Sequence, residues 1–194
     1  RARIVHASTF ALSREPARSA IAKAFRLAHE AGQLVSLDPN YNPAIWPDRE
    51  EARAVLGELF RYVRLTKPSL DDAERLFGPG KTPEAYVARY HELGAEIVVF
   101  TMGAEGILLS DPQGTTRIPA SPVDVMDATG AGDAFWAGFL VALLDGNAPK
   151  RCARFAREVA RRKLAQVGPL EGEIDRSAVY NKIRGSKKQD KHNA

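Results

Sequence analysis

With 194 residues, 44% of them hydrophobic and 27% charged, the chain has the composition of a folded domain with a sizeable core, which argues against disorder. No apolar run approaches the roughly 18 residues of a membrane span, and the apolar part of the first residues is too short for a secretory signal. Cys152 is the only cysteine, so no internal disulfide can form, and a reducing, cytoplasmic setting is the expectation.

Apolar runs alternate with helix-like segments along the chain. Residues 4–7 read as a buried strand, with a helix over residues 15–31 capped by Ser13, opened by Pro16 and stopped by Gly32. Ala20, Ala24, Leu27, Ala28 and Ala31 place a small-residue face along that helix. A strand over 33–37 leads into a polar, proline-rich turn through Trp46. A helix over 48–59, a strand over 62–65 and helices over 69–77 and 82–93 follow.

The β-branched run at 96–100 predicts another strand, and 106–110 with 115–118 a hairpin turning at 111–114. The last third is helical, over 131–144, 150–165 and 175–183. Strands separated by helices predict a mainly parallel sheet covered on both sides, with ligands at the carboxyl ends of the strands. The expected organisation is one three-layer α/β/α domain over residues 1–184, followed by a flexible basic tail over 185–194. Lys187, Lys188 and Lys191 give that tail charge but no aromatic interleaving, so neither nucleic acid nor membrane is an expected partner. The chain also starts directly in a strand, which predicts that an earlier segment belongs to the fold.

The segment Asp127-Ala128-Thr129-Gly130-Ala131-Gly132-Asp133 precedes an apolar helix. Gly130 and Gly132 allow a tight turn and close backbone approach, while the unpaired N–H groups of the helix end favour an anion. An acid in that first turn makes chemical sense if Asp133 takes a proton from an attacking hydroxyl while the amides hold a phosphoryl group.

This string, continued by Ala134, Phe135, Gly138 and Phe139, resembles the second motif of the PfkB/ribokinase family of carbohydrate kinases. The resemblance implies a ribokinase-like sandwich whose N-terminal strands and lid have no counterpart in this chain. It implies Asp133 as the catalytic base and Gly130, Ala131 and Gly132 as the anion hole for the γ-phosphate of MgATP. Thr101, Gly103 and Gly106 match the family's T-x-G-x-x-G nucleotide loop, and Thr129 joins them as a nucleotide contact. The segment from Asp38 through Asn40 and Asn42 to Trp46 resembles D-x-N-x-R-x-x-x-W of fructokinase-like and ketodeoxygluconate-kinase-like members, near substrate or phosphate. Asn42 stands where the arginine usually does.

On the frame of Ala73, Glu74, Leu76 and Gly78, Ser69 and Asp72 replace the asparagine and glutamate of the family's N-x-x-E segment, implying water-bridged magnesium at Asp72. Ser69 and Asp72 also read as a helix capping box. A monovalent-cation loop, for potassium, falls near Asp127, Thr129 and Gly168. The implied activity is transfer of the γ-phosphoryl group of ATP to a primary hydroxyl of a sugar or keto-sugar acid. A nucleoside kinase of the same family and a non-catalytic nucleotide-binding chain are the alternatives. Without the first strands, an open sheet edge predicts poor solubility or a homodimer.

Three features are set aside. Gly78-Pro79-Gly80-Lys81-Thr82 ends like a P-loop but has no strand leading into it and reads as a helix–helix loop. His6, His29, His91 and His192 lack metal-ligand spacing, and Cys152 has no base beside it.

Overall fold

The computed structural model describes residues 2–185; the expected basic tail from 186 onward lies outside them. The chain divides into two compact units, Arg1–Arg117 and Ile118–Ala194.

The first unit is built on six strands, β1 (Ile4–Ser8), β2 (Leu34–Asp38), β3 (Leu65–Thr66), β4 (Ile97–Thr101), β5 (Ile107–Asp111) and β6 (Gly114–Ile118), in that spatial order. The pairs β1–β2, β2–β3 and β3–β4 are parallel, and β4–β5 is antiparallel. The sheet is therefore mainly parallel, and β1 and β6 form its edges. Helices α1 (Thr9–Leu12), α2 (Ala17–Glu30), α3 (Arg49–Phe60), α4 (Leu70–Phe77) and α5 (Pro83–Leu93) fill the connections. Phe25, Leu37, Leu56, Phe60, Tyr86 and Phe100 are among the fully buried side chains of one continuous core.

Three local expectations change. Ser13 does not cap α2; its hydroxyl donates to Phe10 O at 2.9 Å and closes the short helix α1, while Pro16 stands at the N-cap of α2. The face of α2 turned inward carries Ile21, Phe25 and Ala28, whereas Ala20, Ala24, Leu27 and Ala31 are exposed. Phe25 and Ile21 offer more apolar area to bury than alanines do. The strand expected from residue 62 starts at Leu65, because the amides of Tyr62 and Val63 donate to Leu59 O and Phe60 O in the last turn of α3.

The second unit is helical: α6 (Ala131–Leu144), α7 (Pro149–Leu164) and α8 (Arg176–Gly185). Phe135, Phe139 and Ala142 of α6 are buried, as are Cys152, Phe155, Ala156 and Val159 of α7. A Cβ on Gly138 would stand 3.0 Å from Val159 Cγ2 and 3.1 Å from Ala156 Cα. Only a residue without a side chain permits that approach.

Candidate active site

In the second unit, the chain turns into α6 through residues 127–130. Asp127 organises the turn: its Oδ1 accepts the Thr129 N–H at 2.8 Å, and its Oδ2 accepts the Gly168 N–H at 3.3 Å. Its Oδ2 also lies 3.3 Å from Lys163 Nζ. Hydrogen bonds from the backbone and then the side chain of Thr129, followed by Lys163, hold the Asp127 carboxyl far below its ordinary range. Gly130, at φ 75°, occupies the left-handed region as N-cap of α6, where an L-residue with a side chain would be strained.

No side chain caps this helix end. The Ala131 N–H turns back to Ala128 O at 3.2 Å, and the Ala134 N–H begins the regular ladder at Gly130 O, 2.9 Å away. Helix geometry leaves the amides of Gly132 and Asp133 between them without an intrahelical acceptor. Asp133 stands in the first turn of α6, as the sequence implied, and its side chain is exposed. Gly130, Ala131, Gly132, Thr129 and Asp133 are thus brought together on one helix end, which can hold an anion beside a carboxylate.

In the first unit, the carboxyl ends of β2, β3 and β4 gather a second group. Strand register sets Leu37 against Thr66, so the next residues, Asp38 and Lys67, are neighbours. Their side chains form a buried ion pair of 2.9 Å. Just beyond, Ser69 and Asp72 form a reciprocal capping box at the start of α4. Burial pushes the Asp72 carboxyl up, although hydrogen bonding to Ser69 and the charge of Lys67 oppose this. Ser69 bridges Thr101 of β4, whose N–H donates to Pro68 O at 2.9 Å. After Thr101, Gly103–Glu105 make a short 3-10 turn, and the Met102 N–H closes it on Gly106 O at 2.9 Å. Asp38, Asp72, Thr101, Gly103 and Gly106 therefore share the carboxyl ends of adjacent strands.

Asn40 and Asn42 lie farther along the loop after β2. They line a shallow recess with Thr9, Phe10, Ile45 and Trp46. Asn42 Oδ1 accepts the Ala44 N–H at 2.9 Å, so this side chain shapes its own turn. Trp46 is fixed by its Nε1–H, which donates to Glu51 Oε2 at 2.8 Å, and by Arg18 over its ring at 5.1 Å.

Lys67 and Lys163 were missed in the sequence. Lys163 had a signal, because it continues the buried stripe of Cys152, Ala156 and Val159 at helical spacing. Lys67 had none beyond its place at the end of a short strand.

The residues set aside have other occupations. Lys81 Nζ donates to Phe77 O, and Thr82 caps α5, so the P-loop-like segment is a helix–helix connection. His6 pairs with Ser36, and His91 bridges Ala95 O and Ser110. Burial pushes the Cys152 thiol up to about 12. Among the described residues, no group of three His, Cys, Asp or Glu gathers to hold a metal, and no helix is long and apolar enough to cross a membrane.

Residues 1–175 match the model of the pfkB family carbohydrate kinases. An ATP-dependent 6-phosphofructokinase of Thermoanaerobacterium thermosaccharolyticum is 38% identical over 168 residues, 87% of this chain and 52% of that protein. The chain spans about half the length of the curated relatives it matches. The structure of Halothermothrix orenii fructokinase is 41% identical with a TM-score of 0.67, over 86% of this chain and 56% of that one. A Vibrio cholerae O395 fructokinase structure holding fructose, ADP and a calcium ion has a TM-score of 0.82 at 26% identity, over 92% of this chain and 59% of that one. These likenesses give the chain the ribokinase-like α/β fold, and it belongs to the pfkB family of carbohydrate kinases.

Proposed function

We propose that this chain carries the phosphoryl-transfer centre of an ATP-dependent sugar kinase. In this reading Asp133 takes the proton from a primary hydroxyl of a sugar or keto-sugar acid. The backbone of residues 130–132, whose Gly132 amide has no intrahelical acceptor, stabilises the charge on the γ-phosphoryl group as its bond to the ADP oxygen breaks and it moves in line to the hydroxyl oxygen. The observation that carries the reading is the uncapped N-terminus of α6, with Gly130 at φ 75° before it and the exposed Asp133 in its first turn. The fructokinase and phosphofructokinase relatives favour a sugar acceptor.

Thr101, Gly103 and Gly106 are proposed as nucleotide contacts, in a tight turn at the carboxyl end of β4. Asp38, Asn40 and Asn42 are proposed near the acceptor or its phosphate. Magnesium is commonly held by one or two carboxylates together with waters and substrate phosphates. Asp72 is the carboxylate proposed to reach it through water, and that role competes with its capping box.

A second reading, a nucleotide-binding chain without turnover, is favoured by one observation. Asn42, in the place of the family arginine, is occupied with the Ala44 amide rather than offering a charge. Transfer of the γ-phosphoryl group of MgATP to a panel of hexoses, keto-sugar acids and nucleosides, read as phosphorylated product and ADP, distinguishes the readings, run on the wild type and on Asp133→Asn. Sugar-dependent turnover that collapses in the variant supports the first reading. Nucleotide binding with no accepted substrate favours the second, and turnover unchanged by the substitution sinks the role given to Asp133.

A further inference from the structure

Lys163 is 3% exposed, near the end of α7, and its ammonium is ringed by oxygens. Nζ lies 3.3 Å from Asp127 Oδ2, 3.4 Å from the Asp127 carbonyl oxygen and 3.5 Å from the Gln166 carbonyl oxygen. Its Cε stands 3.9 Å from where a Cβ on Gly130 would be. One carboxylate and two backbone carbonyls are the donor set that a hard monovalent cation takes, and here a lysine brings the charge from within the chain. Burying an ammonium is costly unless it is paired and hydrogen-bonded, so this enclosure is specific.

The same oxygens would serve a potassium ion at Asp127. Such an ion would compete for the space of the ammonium and meet its like charge within a few ångströms. The residues present therefore do not fit a separate monovalent cation at this turn.

We infer that Lys163 is a tethered replacement for a monovalent cation. It is a positioning residue that ties Asp127 to the Gln166–Gly168 turn and holds Gly130 in the left-handed form that opens the α6 amides. The consequence is a centre indifferent to added potassium. Its link to catalysis rests on the kinase reading above; its link to the turn does not.

The test uses the chain as it stands, in potassium chloride and in tetramethylammonium chloride at equal ionic strength. Wild-type protein melts at the same midpoint in both salts. It also binds the magnesium complex of a non-hydrolysable ATP analogue equally well in both. Lys163→Ala melts lower in tetramethylammonium, by about 5 °C or more, and binds the analogue about tenfold more weakly. Potassium restores both properties in that variant. Lys163→Met, which removes the charge but keeps most of the bulk, loses both and is not restored.

A selective response of the wild type to potassium overturns the inference, and this comparison stands even if the alanine variant does not fold. So does an alanine variant that matches the wild type, or one whose losses potassium leaves untouched. Potassium-dependent phosphorylation of a sugar would sink the role of Lys163 and leave the kinase reading intact. Potassium-independent nucleotide binding with no accepted sugar would do the reverse.

Discussion

Lys67 Nζ stands 2.9 Å from Asp38 Oδ2 at the ends of adjacent parallel strands, with the two side chains only 6% and 4% exposed. Removing one member of a buried pair leaves the other charge uncompensated, which costs about 3–5 kcal/mol, whereas replacing both with apolar groups is often neutral. Lys67→Met should therefore lower the urea-unfolding free energy by that amount, and Asp38→Leu with Lys67→Met should recover most of it. Lys67→Met should also raise the Asp72 carboxyl further, because the charge of Lys67 now pulls it down. A double variant as unstable as the single would mean that packing, not the pair, governs this place.

Asp133 and Gly130 should separate chemistry from stability. Asp133 is exposed in the first turn of α6, where a negative charge contributes about 0.3–1 kcal/mol through the helix dipole. Asp133→Asn should thus unfold within about 1 kcal/mol of wild type while turnover on an accepted sugar falls by roughly 10²–10⁴-fold. Gly130→Ala should lose about 1–2 kcal/mol of stability from the left-handed backbone alone. Denaturant curves beside steady-state rates read both effects.

The turn before α6 was legible as a local structure because its residue types are dictated locally, while the role proposed for it came from the family resemblance. Glycines suited to a tight turn, an acid in the first turn of a helix and the apolar run of that helix are visible without a fold. The alternating strands and helices were legible for the same reason, since period and glycine punctuation are local. The boundaries of β3 were not, because the backbone amides of Tyr62 and Val63 are shared between a helix end and a strand, and α3 takes them. Ser13 misled because a serine before a proline suits both a helix start and a helix end, and Phe10 O decides between them. Lys67 was invisible because its partner, Asp38, lies 29 residues away and meets it only through strand register.

The crossing of α6 and α7 makes a prediction that needs no assay of function. A Cβ at position 138 would meet Val159 Cγ2 at 3.0 Å, Ala156 Cα at 3.1 Å and Val159 Cβ at 3.2 Å. Overpacking of this kind costs about 1–3 kcal/mol. Gly138→Ala should destabilise by that amount, and adding Val159→Ala should return only part of it, because the backbone of Ala156 cannot yield. A double-variant cycle in urea should show coupling between the two sites above about 0.5 kcal/mol. Strict additivity would mean that the helices separate to admit the methyl group.

Three carboxylates give stability a pH dependence of mixed sign. Asp127 titrates below its ordinary 3.8, first through the Thr129 amide. Burial is the largest single influence on Glu158 and would raise it, but Lys182, Arg161 and Ser121 together bring it below its ordinary 4.5. For both groups the unfolded chain binds more protons, so their stabilisation is present above those ordinary values and is lost as pH falls through the lowered folded values. Asp72 is raised from 3.8, chiefly by burial, so the folded chain holds its proton longer. Its contribution is full below 3.8 and is lost as pH rises through the raised value. Melting curves between pH 7 and pH 3 should therefore fall toward acid for the wild type. Glu158→Gln should start lower at pH 7 and fall less steeply below about 4.5. Asp72→Asn should gain on the wild type as pH rises from 3.8, because its amide carries no charge to bury. Parallel curves for the wild type and Asp72→Asn would show that water reaches the Asp72 carboxylate and that its burial does not govern the titration.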